Sequence, residues 1–386
     1  MPSEAKPKSS RVIELDALRA LAAINLMLFH FTHVYSVKYG YSTPLGFEFP
    51  WGKYGVQLFF MLSGLVNALT LMKKQDATGF LKARCLRILP CYYIVITLNL
   101  VLYSCMPLAQ TGQWSWSQLA ANLTVMPNLL GFDCLEPVMW TLQVELLFYA
   151  ILLSLFLKGW LNRPLPAISA CLAICLLGCW GIDWVSTRLG AEHWTTGLTW
   201  FARQVLLLDY FPLFAVGMLL HEIWRRIGSE SPGSHTGWAA RLRQHQGSLC
   251  GIVASLAVFH LTDHHGHNPV VSLGLVALLT ASLFGRLPIL RYKPLVFISG
   301  VSYMLYLLHD NLGAVFIHWM DHTLHVPPLL CFLACIPATV AISTLATYGL
   351  ERPITKWLRN RYLPSKASQR QSLWPNQATI SQGAGS

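Results

Sequence analysis

Apolar stretches long enough to cross hydrocarbon as helices recur along the whole chain, and they restrict its fold more than any other feature. A span needs about 20 residues. Ten such stretches are read, over 12–35, 54–72, 87–106, 139–157, 166–184, 199–221, 247–262, 269–285, 295–317 and 327–349, the seventh being the shortest. Residues 119–132 are moderately apolar but carry Pro127 and Gly131, so they read as an interfacial or re-entrant piece. Composition agrees. Of 386 residues 54% are hydrophobic and only 12% charged, against about a quarter charged in soluble domains. The mean hydropathy is +0.46. The expected fold is an all-α polytopic membrane protein of about ten transmembrane helices.

The charges test the topology. With a cytoplasmic N-terminus, 23 of the 28 lysines and arginines fall on cytoplasmic segments. Three, Lys38, Lys53 and Arg188, fall outside, and Arg19 and Arg203 lie within helices. This positive-inside asymmetry puts both termini in the cytoplasm. It accounts for the net charge of +11 without nucleic acid. The first stretch is too long for a signal-peptide core and lacks a small-x-small cleavage site, so it is expected to stay as the first helix. The ten cysteines are scattered with no CxxC pair, which leaves zinc and redox motifs unsupported. Cys105 and Cys134 both fall on the outer side, where a disulfide or two separate thiols are the alternatives. Residues 1–10 and 363–386 read as disordered, and 11–362 as one membrane domain. The largest cytoplasmic loop is 222–246, and no loop is long enough for a second folded domain. Any chemistry must therefore sit among the helices.

Ionisable groups inside a membrane cost several kcal/mol when they face lipid, so they mark lined cavities. Arg19 and His30 share the first helix, eleven residues apart. At about 100° per residue they lie within roughly 20° of one face, and roughly 16 Å apart along the axis. "GVQLFFMLSGL", residues 55–65, adds Gln57, Ser63 and small glycines that permit close helix approach. "WTLQVELLFY", residues 140–149, carries Glu145. "ISGVSYMLYLLHDN", residues 298–311, carries Ser302, Tyr303, His309 and Asp310. Counting from the helix ends places His30, Glu145, His309 and Asp310 together in the outer half of the membrane. A histidine base with a carboxylate to fix its tautomer is what proton transfer needs. A structural role remains the alternative for His309, and charge neutralisation of Arg203 or Arg19 for Glu145. Arg84 and Arg87 in "KARCLRILPCYY" share a face at the inner surface, where a basic pair suits phosphates; ordinary positive-inside anchoring is the alternative. "DHHGHN", residues 263–268, reads as a polar loop, and no metal is expected.

Six segments in order resemble the acyltransferase-3 family of integral-membrane O-acyltransferases, the bacterial surface-polysaccharide O-acetylase type. They are "ELDALRALAAINLMLFH" with its Arg-x10-His pattern at Arg19 and His30, "GVQLFFMLSGL", "RCLRILPCYY" with its Arg-x-x-Arg pair, "WTLQVELLFY", "SGVSYMLYLLH" and "LERPITKWL". The resemblance covers about residues 11–360. It implies transfer of an acyl group, usually acetyl, from cytoplasmic acyl-CoA to a hydroxyl, with no permanently bound cofactor. It also implies a multi-pass protein of the cytoplasmic membrane, in contact with lipid. Acceptors in the family include O-antigen sugars, exopolysaccharides, peptidoglycan, Nod factors and macrolides. The extracytoplasmic esterase-type domain of some members has no counterpart here. The chain is therefore expected either to hand acyl groups to a separate extracytoplasmic partner or to complete the transfer itself.

Residues and resemblance join in one scheme. Arg84 and Arg87 bind CoA, and its arm reaches past Arg19 to His30, the general base, with a covalent acyl-His30 as the alternative route. Glu145 and His309 complete the catalytic set. Ser302, Tyr303 and Asp310 contact substrate, and Ser302, Tyr303 or Arg19 supply oxyanion donors. The readings set against a glycan acylase are an acylase of small molecules such as macrolides, and a carrier of lipid-linked saccharides, which would favour inverted repeats that are not seen.

Overall fold

The computed structural model describes residues 13–105, 114–189, 193–228, 238–264 and 266–363. The reading of both ends as disordered lies almost wholly outside them. The described residues form helices and connecting turns, with no strand. In chain order the helices are α1 (Ile13–Lys38), α2 (Tyr54–Lys74), α3 (Ala77–Cys105), the short α4 (Trp116–Leu123), α5 (Trp140–Leu157), α6 (Pro164–Leu189), α7 (His193–Val205), α8 (Phe211–Gly228), α9 (Trp238–Thr262), α10 (Pro269–Leu283), α11 (Lys293–His318), α12 (Pro328–Ala346) and α13 (Arg352–Tyr362). Seven helical segments among the described residues are long and apolar enough to cross a membrane, and α10 is a shorter apolar helix. The protein is an all-α polytopic membrane protein.

Two elements depart from the sequence reading. The stretch 199–221 is not one helix: α7 ends at Val205, and α8 starts at Phe211. Leu207 between them takes a left-handed backbone, φ 52°. Pro212 has no N–H to give to a preceding turn, so it is accommodated at least cost in the first turn of α8, where it sits. Arg203 fastens the break, donating to Asp209 at 2.7 Å and Asp183 at 2.9 Å. Hydropathy runs across this break because the turn residues Leu206, Leu207 and Leu208 are themselves apolar. The loop read over 222–246 is also shorter, since α8 runs to Gly228 and α9 begins at Trp238.

The core is built on α8, buried without interruption from 211 to 223, packed on α2. Two glycines set that contact. A methyl on Gly64 would overlap the Phe214 carbonyl, and one on Gly217 the Met61 carbonyl. Small residues at a helix crossing allow backbone-to-backbone approach in a solvent that offers no hydrophobic drive. Phe148 of α5 stacks on Phe214 at 4.0 Å, extending the core sideways. At the other end of the bundle α1 lies against α11, where a methyl on Gly313 would overlap the Phe31 ring.

α1 contains one π-turn, His30–Val34. A π-turn frees a carbonyl from the regular ladder, and such turns recur at functional sites. Here Tyr41 donates to the Phe31 carbonyl at 2.6 Å, and the Phe49 N–H is taken by Thr32 Oγ1 at 3.0 Å. Asp321 accepts from the Ser42 backbone N–H at 2.8 Å and from its hydroxyl. The 39–49 loop is thereby tied to α1 and to the end of α11.

Gly217→Val is expected to destabilise by about 2 kcal/mol or more, the cost of overpacking, and to lower the melting temperature in detergent. Gly274→Ala, where nothing lies within 4 Å, is expected to leave it unchanged or raise it slightly.

Candidate active site

Two polar centres lie along α1 and α11. The first is a cavity of about 80 Å³ whose walls include Arg19, Arg84, Arg87, Glu145, Tyr149 and Ser63. Three guanidinium groups thus face one carboxylate. The i,i+3 spacing of Arg84 and Arg87 puts both on the cavity side of α3. Arg84 lies over the Phe80 ring at 5.3 Å, and Arg87 over Tyr303 at 5.6 Å. Arg19 is held from behind by Asp16 at 3.2 Å. Glu145 accepts from the hydroxyls of Ser63 at 2.8 Å and Tyr149 at 2.6 Å. Tyr303 Oη and Asn67 Oδ1 are buried with no hydrogen-bond partner among the described residues. Such groups cost about 1–3 kcal/mol when left unmade. An excess of guanidinium with unused polar atoms is the chemistry of an anion site.

The second centre holds His30, His309 and Asp310. His30 Nδ1 lies 2.9 Å from Asp310 Oδ1, a contact that becomes an ion pair only when the imidazole is protonated. The His30 and His309 rings meet edge to face at 4.8 Å. His309 Nδ1 lies 2.8 Å from the Tyr306 carbonyl. A carbonyl only accepts, so Nδ1 carries the proton and Nε2 is the basic nitrogen. His309 is fully buried, while the His30 side chain keeps 14% exposure, so His30 is the accessible imidazole.

Tyr306 stands between the centres. Its hydroxyl lies 2.7 Å from Thr141 Oγ1 and donates to the Val138 carbonyl at 3.2 Å. Its ring meets Phe59 at 5.1 Å and His309 at 5.8 Å. Tyr306 also lines the arginine cavity. The aromatic pair Phe59–Tyr306 therefore separates the two.

The structure brings together His30, His309 and Asp310, and separately Arg19, Arg84, Arg87, Glu145, Ser302 and Tyr303. Of the two readings of Glu145, the structure matches the one beside Arg19 and not the one with the histidines: on α5 it is Thr141 that reaches Tyr306, and Glu145 lies one turn further along, facing the arginines. Counting from a helix end gives an axial position only loosely and does not give the facing neighbour. Ser302 and Tyr303 line the arginine cavity and stand about 10 Å before His309 along α11 by helical rise. Glu145 does not serve Arg203, whose carboxylate partners are Asp183 and Asp209. The Cys105 and Cys134 thiols are free; Cys134 Sγ donates to Asn128 Oδ1 at 3.2 Å. In the 263–268 loop, His267 pairs with Asp263 at 2.9 Å.

One group escaped the sequence reading. Glu136 is fully buried; its Oε2 accepts from Asn99 Nδ2 at 3.0 Å and its Oε1 from the Asn311 N–H at 3.4 Å. Asn311 Nδ2 in turn lies 2.8–2.9 Å from Asn99 Oδ1, the Tyr103 hydroxyl and the Leu135 carbonyl, which share its two hydrogens. This network fixes the turn of α11 that carries His309 and Asp310. The available signal was Asn99 inside an apolar stretch and Asn311 directly after Asp310. Glu136 precedes its helix and gave none.

The fold and its two polar centres define an integral membrane protein with an arginine-rich cavity and an adjacent imidazole–carboxylate pair. A family model described as an acyltransferase domain matches residues 12–348, so the chain belongs to the acyltransferase-3 family and is a membrane acyltransferase. It is similar to Nodulation protein 10 of Rhizobium leguminosarum bv. viciae, 25% identical over 372 residues, 88% of this chain and 92% of that one. No solved structure matches it.

Glu136→Ala leaves two buried amides without their acceptor and is expected to cost roughly 1–3 kcal/mol. Thermal unfolding in detergent should show a clear drop for Glu136→Ala and a smaller one for Glu136→Gln, which keeps an acceptor for Asn99. An unchanged midpoint for the alanine variant would show that the network does not hold this turn.

Proposed function

We propose that this acyltransferase moves an acetyl group from cytoplasmic acetyl-CoA to a hydroxyl of a cell-surface glycan, such as O-antigen or exopolysaccharide. The observation that carries this reading is the pairing of the two centres. An arginine-rich cavity suited to phosphates lies one aromatic layer from an accessible histidine backed by a carboxylate. The lysine and arginine asymmetry supports both termini and the arginine centre on the cytoplasmic side of the cytoplasmic membrane.

In this scheme Arg84, Arg87 and Arg19 hold the CoA phosphates, and Ser302 and Tyr303 line the path of the pantetheine arm. Phe59 and Tyr306 part or rotate to let the thioester meet His30. With His30 Nδ1 towards Asp310, Nε2 is the basic nitrogen and takes the proton of the acceptor hydroxyl. The alcohol oxygen forms a bond to the thioester carbonyl carbon. The carbon–sulfur bond then breaks, and the leaving thiolate takes the proton back from His30. Asp310 stabilises the transient imidazolium, and buried His309 packs against its ring. Glu145 anchors Ser63 and Tyr149 and offsets part of the positive charge when no donor is bound.

Membrane vesicles given labelled acetyl-CoA test the reading. Wild-type vesicles are expected to place label in the surface-glycan fraction. His30→Gln should lower the rate roughly 100-fold or more, the usual contribution of a general base, with CoA binding retained. Arg87→Ala should instead weaken CoA binding by about tenfold, about 1.4 kcal/mol. Equal label from wild type and His30→Gln would remove His30 from the chemistry.

A further inference from the structure

A second cavity, of about 500 Å³, opens beyond the histidine centre, away from the arginines. We propose that it is the acceptor site and that it takes a neutral, hydroxyl-rich saccharide. The proposal rests on the acyl-transfer reading for its role, and on the cavity's own chemistry for its ligand. The volume falls within the roughly 300–1,000 Å³ of small-molecule sites.

Its position follows from the residues that wall it. Asn311 is the residue after Asp310, the partner of His30. Lys38 ends α1, two turns beyond His30. Trp140 opens α5 directly before Thr141, which holds Tyr306. The wall is thus assembled from neighbours of the residues that build the histidine centre.

The remaining wall is chemically suited to sugar. Trp114 and Trp140 provide flat apolar faces for the C–H surfaces of a pyranose ring. Trp114 is itself braced edge-on by Trp116 at 5.1 Å. Asp133 and Gln118 provide planar groups that meet vicinal hydroxyls two at a time. Gln118 spends one amide hydrogen on the Asp133 carbonyl at 3.2 Å and keeps its oxygen for a ligand. The Asp133 carboxylate has no hydrogen-bond or ion-pair partner among the described residues.

These groups are positioned rather than loose. Asn122, fully buried, donates through Nδ2 to the Gln118 carbonyl at 2.9 Å and the Asp133 carbonyl at 3.0 Å. Its Oδ1 accepts the Leu135 N–H at 3.0 Å, and its own carbonyl takes the Tyr92 hydroxyl at 2.8 Å. One asparagine therefore clamps α4 to the 133–135 segment and sets the spacing of the wall. Lys38 is the one cation among the lining residues and Asp133 the one carboxylate, so the cavity offers a CoA polyphosphate no cluster of positive charge. An extended lipid tail would find polar walls.

Cys134 also lines the cavity, which gives a direct readout. The protein in nanodiscs is alkylated with a maleimide, and modification of Cys134 is followed by peptide mass spectrometry. The probes are maltotetraose, cellotetraose and chitotetraose, with erythromycin and CoA for comparison. At least one tetrasaccharide is expected to slow Cys134 alkylation several-fold, with no effect of erythromycin or CoA. In Trp114→Ala and Asp133→Asn, at wild-type melting temperature, protection should be lost. No protection by any tetrasaccharide, equal protection in both variants, or protection by erythromycin or CoA would overturn the proposal. Acetyl transfer is assayed on the same preparation. Protection without transfer would sink the donor reading and leave the saccharide site standing; transfer without protection would do the reverse.

Discussion

A charged group in an apolar bundle must be turned inward and given partners, and the site follows from that requirement. Arg19 cannot face hydrocarbon without a cost of several kcal/mol. It turns instead into a cavity with Arg84, Arg87 and Glu145, backed by Asp16. Three guanidiniums line the cavity with one carboxylate, Glu145, while Asp16 pairs with Arg19 behind the wall and Glu351 lies near Arg87. The same requirement acts on Arg203, but there two carboxylates, Asp183 and Asp209, complete the set. Arg203 is therefore a fastener for the α7–α8 break, while Arg19 opens onto a cavity shared with two further arginines.

α1 and α11 divide the work along their length. Near the start of α1 lies the arginine cavity; at the π-turn it gives way to an imidazole and a carboxylate. The layer between is aromatic, Phe59 against Tyr306, with the Tyr306 hydroxyl satisfied by Thr141 and the Val138 carbonyl. A satisfied hydroxyl at a constriction keeps the layer closed without an unpaired polar group, which low-dielectric surroundings penalise. Turning Tyr306 out of this layer would break both of those bonds.

Buried amides supply the precision around this path. Asn122 ties α4 to the segment before α5, and Asn99 with Asn311 holds Glu136 beneath the His309–Asp310 turn. An amide can donate and accept at once, so one side chain can join three chain segments without adding charge. The glycines do the complementary task. Gly64 and Gly217 let α2 and α8 touch backbone to backbone, and Gly313 admits the Phe31 ring beside the π-turn.

The sequence by itself determined the class of fold, because apolar length and the inward demand of buried charge are local properties. It also singled out Arg19, His30, Arg84, Arg87, His309 and Asp310, since ionisable residues stand out in apolar runs. Helical periodicity put Arg84 and Arg87 on one face, and the structure opens both to one cavity. What periodicity cannot give is which helix faces which. Only the tertiary structure chose Arg19 over Arg203 for Glu145, paired His30 with Asp310 and split 199–221 at Leu207. Only it disclosed Glu136 and Asn122, whose partners lie up to 175 residues away. Rise and rotation along one helix are fixed by its own backbone, whereas neighbours are fixed by packing among all of them.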